Sequence, residues 1–197
     1  PIISYVYPGP QFEFVPTQFS LIHDRNTRLA QLGFIVISVG HRGGTPMRGK
    51  AYHTYSSGRL RDYPLADDKY AIEQLAQRYS FINGKKVGIY GHSGGGFMAT
   101  AAICTYPDFY SAAVSAAGNH DNTIYNKWFV EVHNGVTEIP DTISGKSSWE
   151  VNVGTNMQLA KNYKGGLLLV TGDIDNNVNP AHTFRMANAL IKEGKNF

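Results

Sequence analysis

Short apolar stretches of strand length alternate with longer stretches of helical character along this chain. Strands are predicted for the apolar runs at residues 2–7, 34–39, 87–90, 112–116 and 166–170. Helices are predicted at residues 21–32, 65–79, 95–105 and 180–193. Strands separated by helices predict an α/β fold with a mostly parallel, doubly wound sheet flanked by helices. In such folds ligands bind at the carboxyl ends of the strands.

Two stretches carry more specific expectations. Residues 34–39 form a continuous, mostly β-branched run, which predicts a strand buried on both faces. Residues 119–160 have weaker periodicity and contain both tryptophans, so we expect an irregular or helical excursion above the sheet. Because the chain begins within a predicted strand and ends soon after a helix, we expect one domain, residues 1–197, that is truncated at both ends.

The composition narrows the classes of function. The chain has 197 residues, of which 42% are hydrophobic and 17% charged, as in ordinary globular proteins. Its net charge is +3 and its basic residues are scattered, which excludes a nucleic-acid footprint. No apolar run is long enough to cross a membrane, and the single cysteine excludes an internal disulfide. No cofactor motif is present, and His120-Asp121 fits no metal-ligand spacing.

The pentapeptide Gly91-His92-Ser93-Gly94-Gly95 lies between a predicted strand and a helix of small residues. In that context a G-x-S-x-G sequence places a nucleophilic serine on a strained turn, and glycine is needed where the turn passes close to other backbone. The turn also directs the amide of Gly94 towards the site, beside a helix N-terminus that favours negative charge. We therefore predict an α/β-hydrolase fold with Ser93 as the nucleophile and the Gly94 amide as an oxyanion donor.

A serine nucleophile needs a base and a carboxylate that orients the base, and in this fold they follow the serine in the order acid, then histidine. Asp173 and Asp175 both follow the predicted strand 166–170, so both qualify as the acid. Of the seven histidines only His182 comes later, near the start of the next predicted helix. We expect His182 to be a helix residue and the catalytic base to be absent from these residues.

Four segments resemble the prolyl oligopeptidase family of serine peptidases, and within it the dipeptidyl peptidase IV branch. They are Val6-Tyr7-Pro8-Gly9-Pro10, His41-Arg42-Gly43-Gly44, the pentapeptide around Ser93, and residues 172–178. The resemblance implies hydrolysis of peptide bonds through an acyl-enzyme, with release of N-terminal dipeptides of the X-Pro or X-Ala type. It also implies no cofactor, a β-propeller ahead of this domain, and a catalytic histidine beyond Phe197, so that this chain alone is inactive.

The resemblance assigns roles to individual residues. It makes Asp175 the acid and leaves Asp173 to cap the turn. It makes the hydroxyl of Tyr7 a second oxyanion donor beside Gly94, where packing of a strand-end aromatic is the alternative. Asn177 matches a residue that helps to hold the substrate backbone, although asparagine is also favoured in turns for conformational reasons.

The stretch after residues 112–116 matches the region that forms the substrate pocket, but only by position. Tyr125 and Trp128 are candidates for the pocket wall, as is His92 beside the nucleophile, and ordinary packing is the alternative for the two aromatic residues. Arg42 is expected to form a structural salt bridge.

Two other functions stay open. The same fold supports an esterase or acyl-peptide hydrolase, and a non-catalytic hydrolase-fold module would bind or scaffold instead. The expected partner is a peptide substrate, and the resemblance implies a homodimer in the full-length parent and a periplasmic or exported location.

Overall fold

The chain folds around one central sheet, and the computed structural model describes all 197 residues. The strands are β1 (Ile2–Tyr5), β2 (Ile35–Ile37), β3 (Val87–His92), β4 (Tyr110–Ala116), β5 (Val136–Pro140), β6 (Ser147–Val151) and β7 (Gly166–Val170). The helices are α1 (Asp24–Gln31), α2 (Lys50–His53), α3 (Tyr63–Arg78), α4 (Gly94–Thr105), α5 (Lys127–Phe129) and α6 (Ala181–Lys192). None of these helices is both long and apolar enough to cross a bilayer.

The central sheet has five parallel strands in the order β2-β1-β3-β4-β7. Helices α1, α3 and α4 connect successive strands, as the alternating pattern predicts. The predicted α/β class with a parallel sheet flanked by helices is therefore confirmed. Because all five strands run the same way, the segments after β1, β3, β4 and β7 meet at one edge, and they carry Tyr7, Ser93, Asn119 and Asp175.

The core lies on one face of this sheet, beneath α4. Ala99, Ala101 and Ala102 have no exposed surface, and such small side chains let α4 pack closely on β3 and β4. Ile103 is fully buried beside them, and its replacement by alanine should cost about 2–5 kcal/mol of stability. The opposite face is more open: α1 buries no residue, and Leu168 of β7 is 58% exposed.

A buried carboxylate joins three elements of the core. Asp68 of α3 accepts a hydrogen bond of 2.5 Å from the hydroxyl of Ser4 in β1. It accepts another of 2.9 Å from the hydroxyl of Tyr110 in β4. His41 is also buried, with its Nε2 atom 3.9 Å from the same carboxylate. These contacts tie the loop that contains Arg42 to the sheet, and Arg42 pairs with Asp67 at 2.7 Å, as predicted.

Two expectations about the elements are wrong. Strand β2 lies at an edge of the sheet and its three residues are only half-buried, because it pairs with β1 alone. A continuous apolar run does not distinguish a central strand from an edge strand. Residues 119–160 contain an antiparallel hairpin, β5 paired with β6, besides short helical turns. The hairpin residues are mostly exposed, so they show little apolar alternation.

Several strand and helix boundaries also differ from the predicted ones. Strand β1 ends at Tyr5 rather than Tyr7, so Tyr7 falls just after the strand. Helix α1 begins at Asp24 rather than Leu21. Strand β3 runs on to His92 and leads directly into the turn at Ser93.

Candidate active site

Ser93 occupies a strained turn between β3 and α4. Its backbone has φ 55° and ψ −121°, a left-handed conformation that L-residues adopt only when the surroundings impose it. Two hydrogen bonds hold it: the Ser93 amide donates to the carbonyl of Ala116 at 2.8 Å, and the amide of Phe97 donates to the carbonyl of Ser93 at 3.0 Å. Such strain, on the order of 1–3 kcal/mol, is common at functional sites.

The glycines around Ser93 allow close backbone contacts. A Cβ atom at Gly91 would lie 2.4 Å from the carbonyl carbon of Gly95. A Cβ atom at Gly95 would lie 2.0 Å from the carbonyl oxygen of Val6, at the end of the chain segment that carries Tyr7. Both distances are shorter than any real contact of a Cβ atom. By contrast, a Cβ atom at Gly94 would meet nothing within 4 Å.

A cavity of about 170 Å³ opens beside Ser93. Its lining consists of Tyr7, Pro8, Gly9, Pro10, Gln11, Leu60, Ser93, Gly94, Phe97, Asn119, Asn122, Tyr125, Phe129, Asn134 and Asn177. Five of the residues predicted from the sequence, namely Tyr7, Ser93, Gly94, Tyr125 and Asn177, therefore come together here. None of the lining residues carries a charge at neutral pH.

The other three candidates, Asp175, Trp128 and His92, are not among the residues that line this cavity. Trp128 of α5 is 65% exposed, and its ring meets the edge of His133 with 6.0 Å between the ring centroids. The side chain of His92 is exposed at the end of β3.

The loop after β7 is organised by Asp175. Its carboxylate accepts hydrogen bonds from the amides of Asn177 and Val178, each 2.9 Å long. Asp175 therefore caps this turn, whereas Asp173 is exposed and does not. The turn brings the side chain of Asn177 to the cavity, where its Oδ1 atom accepts a hydrogen bond of 3.3 Å from the hydroxyl of Tyr125.

None of the seven histidines lines the cavity. His182 lies at the second position of α6 and is 1% exposed. Its Nδ1 atom accepts a hydrogen bond of 3.3 Å from the amide of Asp121. Burial lowers the pKa of His182, which favours the neutral ring that accepts this bond. His182 is thus a packed helix residue, as expected.

A second buried histidine fixes the loop after β4. His120 is fully buried, and its Nδ1 atom accepts a hydrogen bond of 2.9 Å from the side-chain amide of Asn156. The same amide donates to the carbonyl of Phe97 in α4, also at 2.9 Å. Burial lowers the pKa of His120 to about 3, so the ring is neutral near pH 7. This network links the loop that carries Asn119 and Asn122 to the helix that follows Ser93.

Asp121, next to His120, also has a structural role. Although burial opposes ionisation, hydrogen bonds from Thr123 and Arg185 lower the pKa of Asp121. The carboxylate pairs with Arg185 of α6. No group of three or more His, Cys, Asp or Glu side chains that could hold a metal ion is found in the structure.

Sequence reasoning missed three asparagines of the cavity: Asn119, Asn122 and Asn134. Asn119 follows β4, so its place at the carboxyl edge of the sheet was a usable signal. Asn134 ends the π-helical turn Val130–Asn134, which no periodicity in the sequence indicates.

Comparison with known proteins identifies a family and a shared fold. The model of the prolyl oligopeptidase family matches residues 21–197. Human dipeptidyl peptidase 8 is 28% identical over 99% of this chain, and the acylamino-acid-releasing enzyme of Sus scrofa is 29% identical over 90% of it. A crystal structure of dipeptidyl peptidase 4 from Porphyromonas gingivalis superposes on the whole chain with a TM-score of 0.84 and 24% identity, which establishes a shared fold.

The match covers only part of those proteins. The chain spans 21% of the length of dipeptidyl peptidase 8, 24% of the acylamino-acid-releasing enzyme and 26% of the Porphyromonas chain.

Proposed function

Because the chain belongs to the prolyl oligopeptidase family, we propose that it carries the nucleophile and oxyanion site of a serine peptidase that releases dipeptides from peptide N-termini. The observation that carries this proposal is Ser93 itself. It sits in a left-handed backbone conformation at the start of a buried helix and shares one cavity with Tyr7 and the amide of Gly94. The relatives named as dipeptidyl peptidases support the choice of reaction.

In the proposed reaction the hydroxyl oxygen of Ser93 attacks the peptide carbonyl carbon as its proton passes to a base. The carbonyl oxygen becomes an oxyanion, which accepts hydrogen bonds from the Tyr7 hydroxyl and the Gly94 amide. The intermediate then breaks its C–N bond, the amine leaves with the proton, and an acyl-serine forms. Water then attacks the carbonyl carbon of the acyl-serine as its proton passes to the base. The bond to the Ser93 oxygen breaks, this oxygen takes up the proton, and the dipeptide is released.

The base in this proposal is a histidine outside these 197 residues, oriented by Asp175. Supporting this, no histidine of the chain reaches the cavity, and Asp175 lies on the loop that brings Asn177 to it. Two of the acceptor sites of Asp175 already hold the turn, so its carboxylate is fixed in place before a histidine meets it. Without that base the 197 residues alone should react about 10²–10⁴ times more slowly.

A more specific part of the proposal is which residue type is preferred before the scissile bond. The family resemblance favours proline or alanine at this position, and both belong in the first assay. A second reaction has its own support: the similarity to an acylamino-acid-releasing enzyme favours substrates whose amino terminus is blocked. Free and blocked substrates therefore separate the two candidates.

The test uses the full-length protein that contains this chain. We expect it to hydrolyse aminocoumarin derivatives of Ala-Pro and Ala-Ala with a free amino terminus, and the Ser93→Ala variant to lose this activity. Hydrolysis of only the N-acetylated derivatives would replace dipeptide release with acyl-peptide hydrolysis. Hydrolysis of neither, by a protein whose circular dichroism matches a folded α/β domain, would contradict the proposed peptidase.

A further inference from the structure

The chain turns back on itself directly after Tyr7, and the turn ends at a buried carboxylate. Pro8 and Glu13 pair as an isolated antiparallel bridge. We call residues 8–13 the Tyr7 loop, and its first four residues line the cavity beside Ser93. Glu13 closes the loop, and only 7% of its surface is exposed. A buried carboxylate is costly unless charged or polar groups pair with it, so its partners are informative.

Both partners of Glu13 come from a distant part of the chain. Its Oε2 atom accepts a hydrogen bond of 2.8 Å from the hydroxyl of Tyr52 in α2. The Nε atom of Arg48, which ends the turn just before α2, lies 2.7 Å from its Oε1 atom. The Arg48 guanidinium also lies over the Tyr52 ring, 5.3 Å from its centroid. The carboxylate therefore fastens the Tyr7 loop to residues 46–53.

The backbone beside Glu13 leaves room for its side chain. A Cβ atom at Gly44 would lie 2.6 Å from the Oε2 atom of Glu13, and a Cβ atom at Gly40 would lie 3.2 Å from the same atom. Gly44 belongs to the segment His41-Arg42-Gly43-Gly44, one of the four that resemble the family. Its lack of a side chain lets the carboxylate lie against this segment.

The Tyr7 loop packs on the ring of Tyr7. A Cβ atom at Gly9 would lie 2.9 Å from the Cε1 atom of Tyr7 and 2.5 Å from the carbonyl oxygen of Phe12. The rings of Tyr7 and Phe12 are also neighbours, with 6.3 Å between their centroids. Phe12 itself is 55% exposed, so apolar burial fixes the loop only weakly. Glu13 is thus the buried anchor of a loop that contacts the Tyr7 ring.

We infer that Glu13 is a positioning residue for the reaction and that it acts through Tyr7. The inference rests on the proposed function, in which the Tyr7 hydroxyl donates to the oxyanion. Such a donor must lie about 2.7–3.1 Å from the oxyanion, and a displacement of about 1 Å can lower the rate about 10²-fold. The contacts of Glu13 with Arg48 and Tyr52 hold the loop in one arrangement, and the loop holds the Tyr7 ring.

The substitution Glu13→Gln in the full-length protein tests this. Glutamine has nearly the same shape and can still accept the bond from Tyr52, but it has no charge to pair with Arg48. The assay uses the aminocoumarin substrate that the parent protein hydrolyses best. We expect kcat to fall by about 10–100-fold while KM changes by less than about threefold. Circular dichroism at the assay temperature shows whether the variant is folded.

A double-mutant cycle with Tyr7→Phe shows whether Glu13 acts through the hydroxyl. In the Tyr7→Phe background that hydroxyl is absent, so Glu13→Gln should lower kcat by less than about twofold. A role in folding alone would lower activity by the same factor in both backgrounds. Asp108→Asn is the matched control, because Asp108 pairs with Lys164 at 3.0 Å just before β4, at the opposite edge of the sheet. It should leave kcat unchanged.

If Glu13→Gln is unfolded, Tyr52→Phe replaces it in the same cycle, since it removes one hydrogen bond from Glu13 and keeps the ring. Equal factors in the two backgrounds, or an unchanged kcat in the parent background, overturn the inference and leave the peptidase in place. A Tyr7→Phe variant with full kcat overturns the oxyanion role of Tyr7 and the inference with it. Turnover of no substrate by the folded parent overturns both the proposed function and the inference.

Discussion

Two sets of residues line the same cavity but are positioned in different ways. Tyr7, Ser93 and Gly94, the elbow wall, are placed by backbone geometry: strand ends, a left-handed turn and glycines that permit close approach. The asparagine wall, which consists of Asn119, Asn122 and Asn134, is placed by the segments after β4. The hydrogen bonds between His120 and Asn156, and between Asn156 and Phe97, hold the loop that carries its first two members. In the proposed reaction the elbow wall acts on the carbonyl group that every peptide has, whereas no step of that reaction uses the asparagine wall.

This difference shows which parts of an active site can be recognised in a sequence. Backbone constraints require particular residues at fixed spacing, since Gly91 and Gly95 each have a neighbour that excludes a Cβ atom. The side chains of a pocket wall follow no such pattern, since an asparagine can occur in a loop whether it faces solvent or substrate. Substitutions in the two walls should therefore have different kinds of effect on stability and activity.

The largest effect is expected from Gly95→Ala. Its Cβ atom would lie 2.0 Å from the carbonyl oxygen of Val6, so the end of β1 or the turn at Ser93 must move. We expect a loss of about 3 kcal/mol or more of unfolding free energy, and no fluorophosphonate labelling. Urea unfolding and the labelling assay measure the two effects.

Gly94→Ala is the matched control for that variant. Its Cβ atom meets nothing within 4 Å, and alanine is the better helix former by about 1 kcal/mol. Stability should therefore be unchanged or slightly higher. Equal destabilisation by both substitutions would contradict the steric explanation of the motif.

A smaller effect is expected at Tyr7, whose hydroxyl is assigned to the oxyanion. Tyr7→Phe removes one donor and keeps the ring, which should lower kcat by about 10²–10³-fold, or about 3 kcal/mol, with little change in KM. Tyr70→Phe is the control, since Tyr70 is 62% exposed on α3 and distant in sequence from the site. A Tyr7→Phe variant with unchanged kcat would assign the ring to packing alone.

The smallest effect at neutral pH is expected at His120, whose contribution to the free energy of unfolding changes with pH. The effect grows as the pH falls. The pKa of His120 is about 3 in the folded protein, below its usual value near 6.5, so the unfolded chain binds more protons between these limits. The contribution of His120 to the free energy of unfolding is therefore fully present above about pH 6.5 and is lost as the pH falls towards 3. The loss should reach about 3 kcal/mol at pH 4.

His120→Gln sharpens this prediction, because glutamine can accept the bond from Asn156 but does not titrate. Urea unfolding followed by circular dichroism at pH 7 and pH 4 should show a weaker pH dependence for the variant than for the parent. Identical dependence in both proteins would remove His120 as the cause.

Much of the fold could be predicted, for reasons that particular residues make clear. Strand β7 and helix α4 have composition and length that allow one interpretation, and their bounds were predicted to within one residue. Strand β2 has an equally apolar sequence, but its place at the sheet edge depends on which strands pair, and that is a long-range property. The hairpin of β5 and β6 was missed because exposed strands lack a buried face to set their pattern.

The residues of the candidate site also fall into those that the sequence predicted and those that it did not. Tyr7, Ser93 and Asn177 were placed by motif, and the chain does bring them to one cavity. Trp128 was assigned by its position in the stretch that matches the family's pocket region, and His92 by its place beside the nucleophile. Neither of them lines the cavity. Asn134 reaches the cavity through a π-helical turn that only the three-dimensional structure reveals.

One measurement tests the central claim that Ser93 is the nucleophile. The full-length protein is treated with a fluorophosphonate, digested and examined by mass spectrometry to locate the modified residue. We predict a single covalent adduct on Ser93, absent from the Ser93→Ala variant. An adduct on another serine with Ser93 unmodified, or no adduct on a folded protein, would contradict the claim.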